Sequence, residues 1–422
     1  MSQEQLLKRA SQVMPASGFG NFDPSIIIRE SKGSRVWDED GNEFIDYLTG
    51  SGPMILGHGH PEVLDAVSEQ MAKGMTFFAH NARGIELAEE ICRALPCAEQ
   101  VRYTCTGSEA DMYAMRLARA YTQRDTIVKF EGGYHGMSAE AQMSLAPERQ
   151  VNFPVAVADS AGIPESVRND MLVAPYNDID FAHSIMEEMS GKIAAVIVEP
   201  FQRVIPPEPG FLKALREACD EHGSVLIFDE VVTGFRFSYG GAQSVYGVTP
   251  DVCTLGKIIG GGFPVGAVAG STVIMSVFDH RPGEKVHHGG TYNGNPVTMA
   301  AGYETMRLMT QNEYIRLAEL GDTLRANLSE MLKRRGVQHQ VTGRGSMFCL
   351  LLSAHRPVDF RELIKCRESG PELTGLDREM LSHGILLGSR GLFGVLSTPM
   401  GEAEIDQFID ALDQSLKALR VY

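Results

Sequence analysis

Apolar positions along this chain follow two periods, and the switches between them outline its elements. Leu6, Leu7, Ala10 and Val13 share one side of a helix predicted within residues 1–14. From Ile26 to Tyr47, short β-like runs are broken by Ser31-Lys32-Gly33 and Asp38-Glu39-Asp40-Gly41-Asn42, a pattern of strands and tight turns. Pro61 suits the first turn of a helix carrying Val63, Val67 and Met71. Between about residues 85 and 305, helical spacing alternates with short apolar runs: Val101-Arg102-Tyr103-Thr104, Thr126 to Phe130, Ala194 to Val198, Val225 to Phe228 and Asp251 to Lys257. Residues 147–170, with Pro147, Pro154, Gly162 and Pro164, lack a period and predict a long loop. After about residue 306 the expected order is a helix, a strand from Met347 to Leu352, a loop at 366–376, a helix, a hairpin and a last helix. That last helix has Ile405, Phe408, Ile409, Leu412, Leu416 and Leu419 at helical spacing.

Strand and helix in repeated alternation predict an α/β fold with a mainly parallel sheet, followed by a smaller α+β domain. The expected division is an N-terminal arm and part of the small domain over 1–50, a large domain over 51–306, and the C-terminal part of the small domain over 307–422. Composition adds that a substantial core is affordable: of 422 residues, 43% are hydrophobic and 22% charged. The net charge of −16, without blocks of like charge, argues against nucleic acid or an anionic membrane as the main partner. The seven cysteines include no C-x-x-C and lie mostly in apolar runs, as reduced core thiols do, so a cytoplasmic setting is expected. No uncharged apolar run approaches membrane-spanning length.

Each strand of the alternating region ends in polar or glycine residues: Thr106-Gly107-Ser108-Glu109, Glu131-Gly132-Gly133-Tyr134-His135-Gly136, Glu199-Pro200, Asp229-Glu230 and Lys257. In an open α/β sheet these ends line the ligand-binding edge. A strand-end lysine entering Gly260-Gly261-Gly262, near a strand-end aspartate, suits covalent chemistry. The amine acts as a nucleophile when held as a Schiff base, and pyridoxal phosphate offers the carbonyl. A buried carboxylate such as Asp229 keeps that cofactor's ring nitrogen protonated. The plainer reading is an Asp-Glu pair capping a strand and an exposed lysine. Gly107 and Ser108 open a helix after a strand, as a phosphate site requires, although many such turns only turn. Tyr134 among glycines can stack on a flat ring, and His135 reads as a supporting residue. No metal site is expected, since His58 and His60 lack further ligands nearby. Gly57-x-Gly59 meets Glu62 where a dinucleotide fingerprint needs glycine, and Gly256-Lys257 is followed by Ile258 rather than the Ser or Thr of a P-loop.

Seven ordered motifs resemble those of class III pyridoxal-phosphate-dependent aminotransferases. They are Gly107-Ser108-Glu109-Ala110, Gly133-Tyr134-His135-Gly136, Glu199-Pro200, Phe228-Asp229-Glu230-Val231, Thr233-Gly234-Phe235-Arg236, Leu255-Gly256-Lys257 and Gly290-Thr291-Tyr292-Asn293-Gly294-Asn295-Pro296. The resemblance spans nearly the whole chain and is strongest to the branch of glutamate-1-semialdehyde aminomutase and the β-amino acid and D-phenylglycine transaminases. It implies the fold type I of pyridoxal-phosphate transferases and a homodimer with shared sites. It also implies roles for individual residues: Lys257 as the Schiff-base lysine and proton shuttle, Asp229 at the ring nitrogen, Tyr134 and Val231 on the two ring faces, Gly107 and Ser108 at the phosphate, Thr291 reaching it from the partner subunit, and Glu199 near the ring. Ping-pong transfer from an amino donor to a keto acid is the implied activity, the donor being a carboxylated, apolar or aromatic amino acid, α or β. Intramolecular transfer of the aminomutase kind is the alternative. Near the N-terminus Gly18-Phe19-Gly20-Asn21-Phe22 departs from the aminomutase pattern, and the turn Gly388-Ser389-Arg390-Gly391-Leu392-Phe393 resembles the D-phenylglycine type. Arg390 is therefore expected to hold the substrate carboxylate, with Phe19, Phe22 and Leu392 forming the apolar side.

Overall fold

The computed structural model describes residues 2–20, 26–278, 285–371, 373–388 and 392–421, with the backbone alone at Leu392. Their strands, in chain order, are β1 (Ile28–Lys32), β2 (Arg35–Asp38), β3 (Glu43–Asp46), β4 (Gln100–Thr104), β5 (Thr126–Phe130), β6 (Met171–Ala174), β7 (Ile193–Val198), β8 (Val225–Asp229), β9 (Val252–Gly256), β10 (Gly266–Gly270), β11 (Gln340–Thr342), β12 (Met347–Leu351), β13 (Ile385–Leu386) and β14 (Leu392–Val395). The chain divides into two compact units: Met1–Leu64 with Asn312–Arg356 and Lys365–Tyr422, and Asp65–Gln311 with Pro357–Ile364.

The second unit is built on a seven-stranded sheet in the order β4-β10-β9-β8-β7-β5-β6. Strands β6, β5, β7, β8 and β9 run parallel. Every residue of β7, β8 and β9 is buried, which is why these segments read as continuous apolar runs rather than alternating ones. The helix Gly107–Thr122 lays Ala110, Ala114, Leu117 and Ala118 on the sheet, in one core with Ile127, Ala195, Ile197 and Ile227. Small side chains at that spacing let the helix axis come close to the strands.

Strand β10, which the hydrophobic pattern does not announce, pairs antiparallel with both β9 and β4. Its sequence, Gly-Ala-Val-Ala-Gly, is small because space is short: a Cβ on Gly266 would lie 2.0 Å from the carbonyl oxygen of Thr106. The strand thus presses the turn before helix Gly107–Thr122 into place.

In the first unit, β1, β2 and β3 form the expected antiparallel group, and β13 joins them by pairing parallel with β3. The hairpin expected around residues 385–396 is not formed. Strand β14 instead pairs antiparallel with β12, in the separate sheet β11-β12-β14. Each short run finds its hydrogen bonds on a non-local strand edge, which a local reading of two apolar segments around a glycine-bearing turn cannot show. The loop expected at 366–376 also begins later, because the helix Phe360–Ser369 runs into it. Tyr47, Phe348 and Phe408 centre this unit's core, with ring centroids 4.7 to 5.9 Å apart, and the Tyr47 hydroxyl donates to the Glu404 carbonyl at 2.7 Å. Among the described residues, no helix is long and apolar enough to cross a membrane.

Candidate active site

Three neighbouring parallel strands deliver the charged groups. Strand β7 ends at Val198 and is followed by Glu199, β8 ends in Asp229, and β9 is followed directly by Lys257, all at the carboxyl edge of the sheet. Lys257 is a non-glycine residue at φ +50°, opening a short 3-10 turn. Such a backbone is held only where its surroundings over-determine it, commonly at functional sites. Burial pushes the Lys257 amine below its ordinary pKa. Asp229 and Glu199 pull it back up, Arg236 pushes it further down, and Asp111 raises it.

Asp229 is buried and fixed from three sides. Its Oδ1 accepts the Val231 backbone N–H at 3.0 Å, and its Oδ2 lies 2.8 Å from His135 Nδ1. Asp111, buried at the inner side of helix Gly107–Thr122, accepts the Thr254 hydroxyl at 2.5 Å. Burial first, then the charge of Asp229, drives the Asp111 carboxyl well above its usual pKa. Burial lowers His135, against the pull of Asp229. His135 and Asp111 thus occupy one side of Asp229, while the Val231 N–H holds its other oxygen. The other ring nitrogen of His135, Nε2, is shielded from solvent and has no hydrogen-bond partner among the described residues.

Beside this cluster a cradle is formed by close approach of backbone. Thr106 caps the helix, its hydroxyl accepting from Glu109 N, while Glu109 reaches back to Cys105 N at 2.7 Å. The first intrahelical bond runs from Ala110 N to Thr106 O, so the N–H groups of Gly107 and Ser108 precede the ladder at a helix N-terminus. A Cβ on Gly107 would meet Val231 Cγ1 at 2.9 Å. One on Gly136, at φ +87°, would fall 2.5 Å from the Cα of Ser108. Gly136→Ala should therefore push the 132–136 loop off Ser108 and weaken anion binding at the helix start by about tenfold or more, given overpacking costs of ~1–3 kcal/mol. Phosphate or cofactor titration of purified variant protein measures this, and unchanged affinity would show that the cradle tolerates the displacement.

Tyr134 is half exposed, and its N–H donates to Glu199 Oε2 at 2.9 Å. Glu199 is pushed up to about 7 mainly by burial, with Arg203 opposing and Asp229 adding to the rise. Thr291 is exposed in a turn whose Asn293 Oδ1 lies 3.3 Å from Cys105 Sγ, beside the cradle. Gly107, Ser108, Tyr134, Glu199, Asp229, Val231 and Lys257 thus share one edge of one sheet. Of the remaining expected residues, Phe19 is exposed, while Phe22, Arg390 and the side chain of Leu392 lie outside the described residues.

Two buried groups carry weight that the sequence pattern did not assign. Asp111 sits among alanines on the inner face of its helix, where a carboxylate is out of place. Lys129 interrupts the apolar strand β5, is fully buried, and donates to the carbonyls of Gly133, Ala141 and Met143 at 3.1, 3.0 and 2.6 Å. Three acceptors suit an ammonium, but burial dominates and lowers its pKa from 10.5 to about 7. Across that window the unfolded chain holds a proton that the folded chain lacks, so Lys129 makes stability rise with pH, by about 1.4 kcal/mol per unit at most. The melting temperature of wild type minus that of Lys129→Met should increase from pH 7 to 10; a constant difference would mean that the three carbonyls keep the ammonium charged.

The sequence model of class-III aminotransferases matches residues 19–414. The chain belongs to the class-III aminotransferase family. It is 41% identical over 402 residues to a glutamate-1-semialdehyde 2,1-aminomutase of Citrifermentans bemidjiense, covering 94% of this chain and 92% of that one. The solved structure of an omega-transaminase from Sphaerobacter thermophilus superposes with a TM-score of 0.94 at 40% identity, over 99% of this chain and 98% of that one. A transaminase solved with PLP (pyridoxal 5′-phosphate) bound gives 0.89 at 33% identity, over 99% of this chain and 98% of that one. The mixed sheet with covering helices is the fold of these transaminases, and the family identifies this chain as an enzyme.

Proposed function

We propose that this protein is a pyridoxal-phosphate-dependent aminotransferase that moves an amino group from a carboxylated, apolar or aromatic amino acid to a keto acid in two half-reactions. The observation that carries the reading is the adjacency of Glu199, Asp229 and Lys257 at the ends of three neighbouring strands, next to a glycine-lined helix start. These residues fit the cofactor. Gly107 and Ser108 offer N–H donors to its phosphate, Asp229 offers a buried, pre-oriented carboxylate to its ring nitrogen, and Tyr134 and Val231 offer surfaces for its two faces. When bound, the cofactor supplies an electron sink for charge developing at the substrate carbon.

The chain's own groups perform the remaining work. His135 and Asp111 hold Asp229 in one orientation, and Asp229 holds the proton on the ring nitrogen. Lys257, its amine lowered by burial, is suited to take a proton from the substrate carbon and return it to a different atom. Glu199 is a polar support near the ring. A homodimer is part of the proposal, with the exposed Thr291 completing the phosphate site of a second copy. The assignment of Arg390 to the substrate carboxylate, with Phe19, Phe22 and Leu392 as its apolar surroundings, rests on the turn Gly388-Ser389-Arg390-Gly391 in the sequence.

The relatives favour one second reading, intramolecular transfer, because aminomutases stand among them. A panel of amino donors and keto acids, with initial rates measured at varied concentrations of both, separates the two. Aminotransfer predicts parallel double-reciprocal lines and an absolute need for a keto acid; isomerisation of an amino aldehyde with no acceptor present would replace the proposal by the aminomutase reading. Carboxylated donors should outperform the corresponding simple amines in the same panel.

A further inference from the structure

One residue beside the site pays a conformational cost that its sequence position does not require. Arg203 follows Glu199 by four residues and adopts φ +57°, a left-handed backbone that glycine accepts without strain and arginine does not. The turn that imposes it is firmly anchored. Gln202 and Ile205 form an isolated antiparallel bridge, the Arg203 N–H donates to the Phe201 carbonyl at 2.9 Å, and the buried Gln202 side chain donates to the Glu131 carbonyl at 2.6 Å. Glycine would relax this turn, yet the chain places its bulkiest cation there. The guanidinium carbon stands 5.4 Å from the centroid of the Tyr134 ring, within cation–π range. Tyr134 in turn donates its N–H to Glu199, so the three residues form one connected wall.

We propose that Arg203 is a positioning residue of the cofactor site: its guanidinium steadies the Tyr134 ring and keeps a permanent positive charge in the wall that carries Glu199. The proposal rests on the reading that Tyr134 and Glu199 face the cofactor. The charges that act on Glu199 come from several elements. Asp229 at the end of β8 and Lys129 in β5 act with Arg203, while Asp111 in the helix Gly107–Thr122 and Lys257 after β9 also interact with it. Of the cations in that set, Arg203 has the largest effect on Glu199. A guanidinium suits both tasks because it is planar, so it can lie over a ring, and because it never loses its charge in the working pH range.

The backbone makes the test clean. Arg203→Gly removes the cation and relieves the left-handed strain together, so a purely structural role predicts a protein at least as stable with an intact site. Three quantities are measured on the full chain: melting temperature without added cofactor, the Kd for pyridoxal phosphate by equilibrium dialysis, and the acid limb of kcat/KM against pH. The proposal predicts an unchanged or higher melting temperature, a Kd weakened by about tenfold, and an acid limb displaced upward by about one pH unit. Arg203→Lys keeps the charge without the flat fork, so it should restore the acid limb while leaving most of the loss in Kd. If Arg203→Gly keeps its Kd within about twofold and its acid limb in place, the proposal is overturned. Wild-type protein that fails to bind pyridoxal phosphate would instead overturn the cofactor reading beneath it.

Discussion

Lys257→Ala is expected to lose nearly all turnover, by a factor well beyond the ~10²–10⁴ that one acid–base group contributes, since the same amine serves as covalent anchor and as proton shuttle. The substitution leaves Asp229, Gly107, Ser108 and Tyr134 in place, so pyridoxal phosphate should still bind without covalent attachment and should be removed by dialysis. Folding should not suffer. The left-handed backbone at Lys257 is strained for alanine as for lysine, and the buried amine carries a desolvation cost that alanine lacks. Steady-state kcat on the best donor, beside the melting temperature, checks both halves. A variant retaining more than about a tenth of wild-type activity, far above that range, would remove Lys257 from the chemistry.

The second large effect is expected at Asp229→Asn. An amide keeps the shape of the side chain but carries no charge, so it cannot hold a proton on the cofactor's ring nitrogen. Its NH₂ group also faces donors, since Oδ1 and Oδ2 now accept from Val231 N and the His135 ring. One of those buried donors loses its acceptor, or the His135 ring changes tautomer. The expected loss in kcat is on the order of 10²–10³, as for removal of one pre-organised electrostatic partner. Single-turnover rates with pre-loaded protein measure it free of differences in cofactor affinity. Loss confined to cofactor Kd, with an unchanged single-turnover rate, would assign Asp229 to binding alone.

How legible this was in the sequence depended on whether a residue's partner was near in the chain. Strands β7, β8 and β9 announce themselves because both faces are buried, and the polar residues that end them stand out against continuous apolar runs. The helix start at Gly107 is equally local, with its cap and its returning glutamate within three residues. Strand β10 was not legible: its small residues answer to Thr106, more than a hundred residues away. The same limit explains the hairpin that is not formed, for β13 and β14 each pair with a distant strand. In the site, His135 could be read as a supporting residue, but its aspartate partner is 94 positions later. Asp111 and Lys129 left a signal of another kind. Each is a charged residue at a position where helix or strand periodicity demands a buried one, and each proves buried, with its charge shifted accordingly.

The central claim, that the strand ends around Asp229 form a pyridoxal-phosphate site with Lys257 as its anchor, is tested most directly by covalent mapping. Protein incubated with pyridoxal phosphate is reduced with borohydride, digested, and its peptides weighed by mass spectrometry. A phosphopyridoxyl increment on Lys257, at about one per chain and missing from Lys257→Ala, is the predicted result. Modification spread over surface lysines, or centred on Lys129 or any lysine other than Lys257, would contradict the claim.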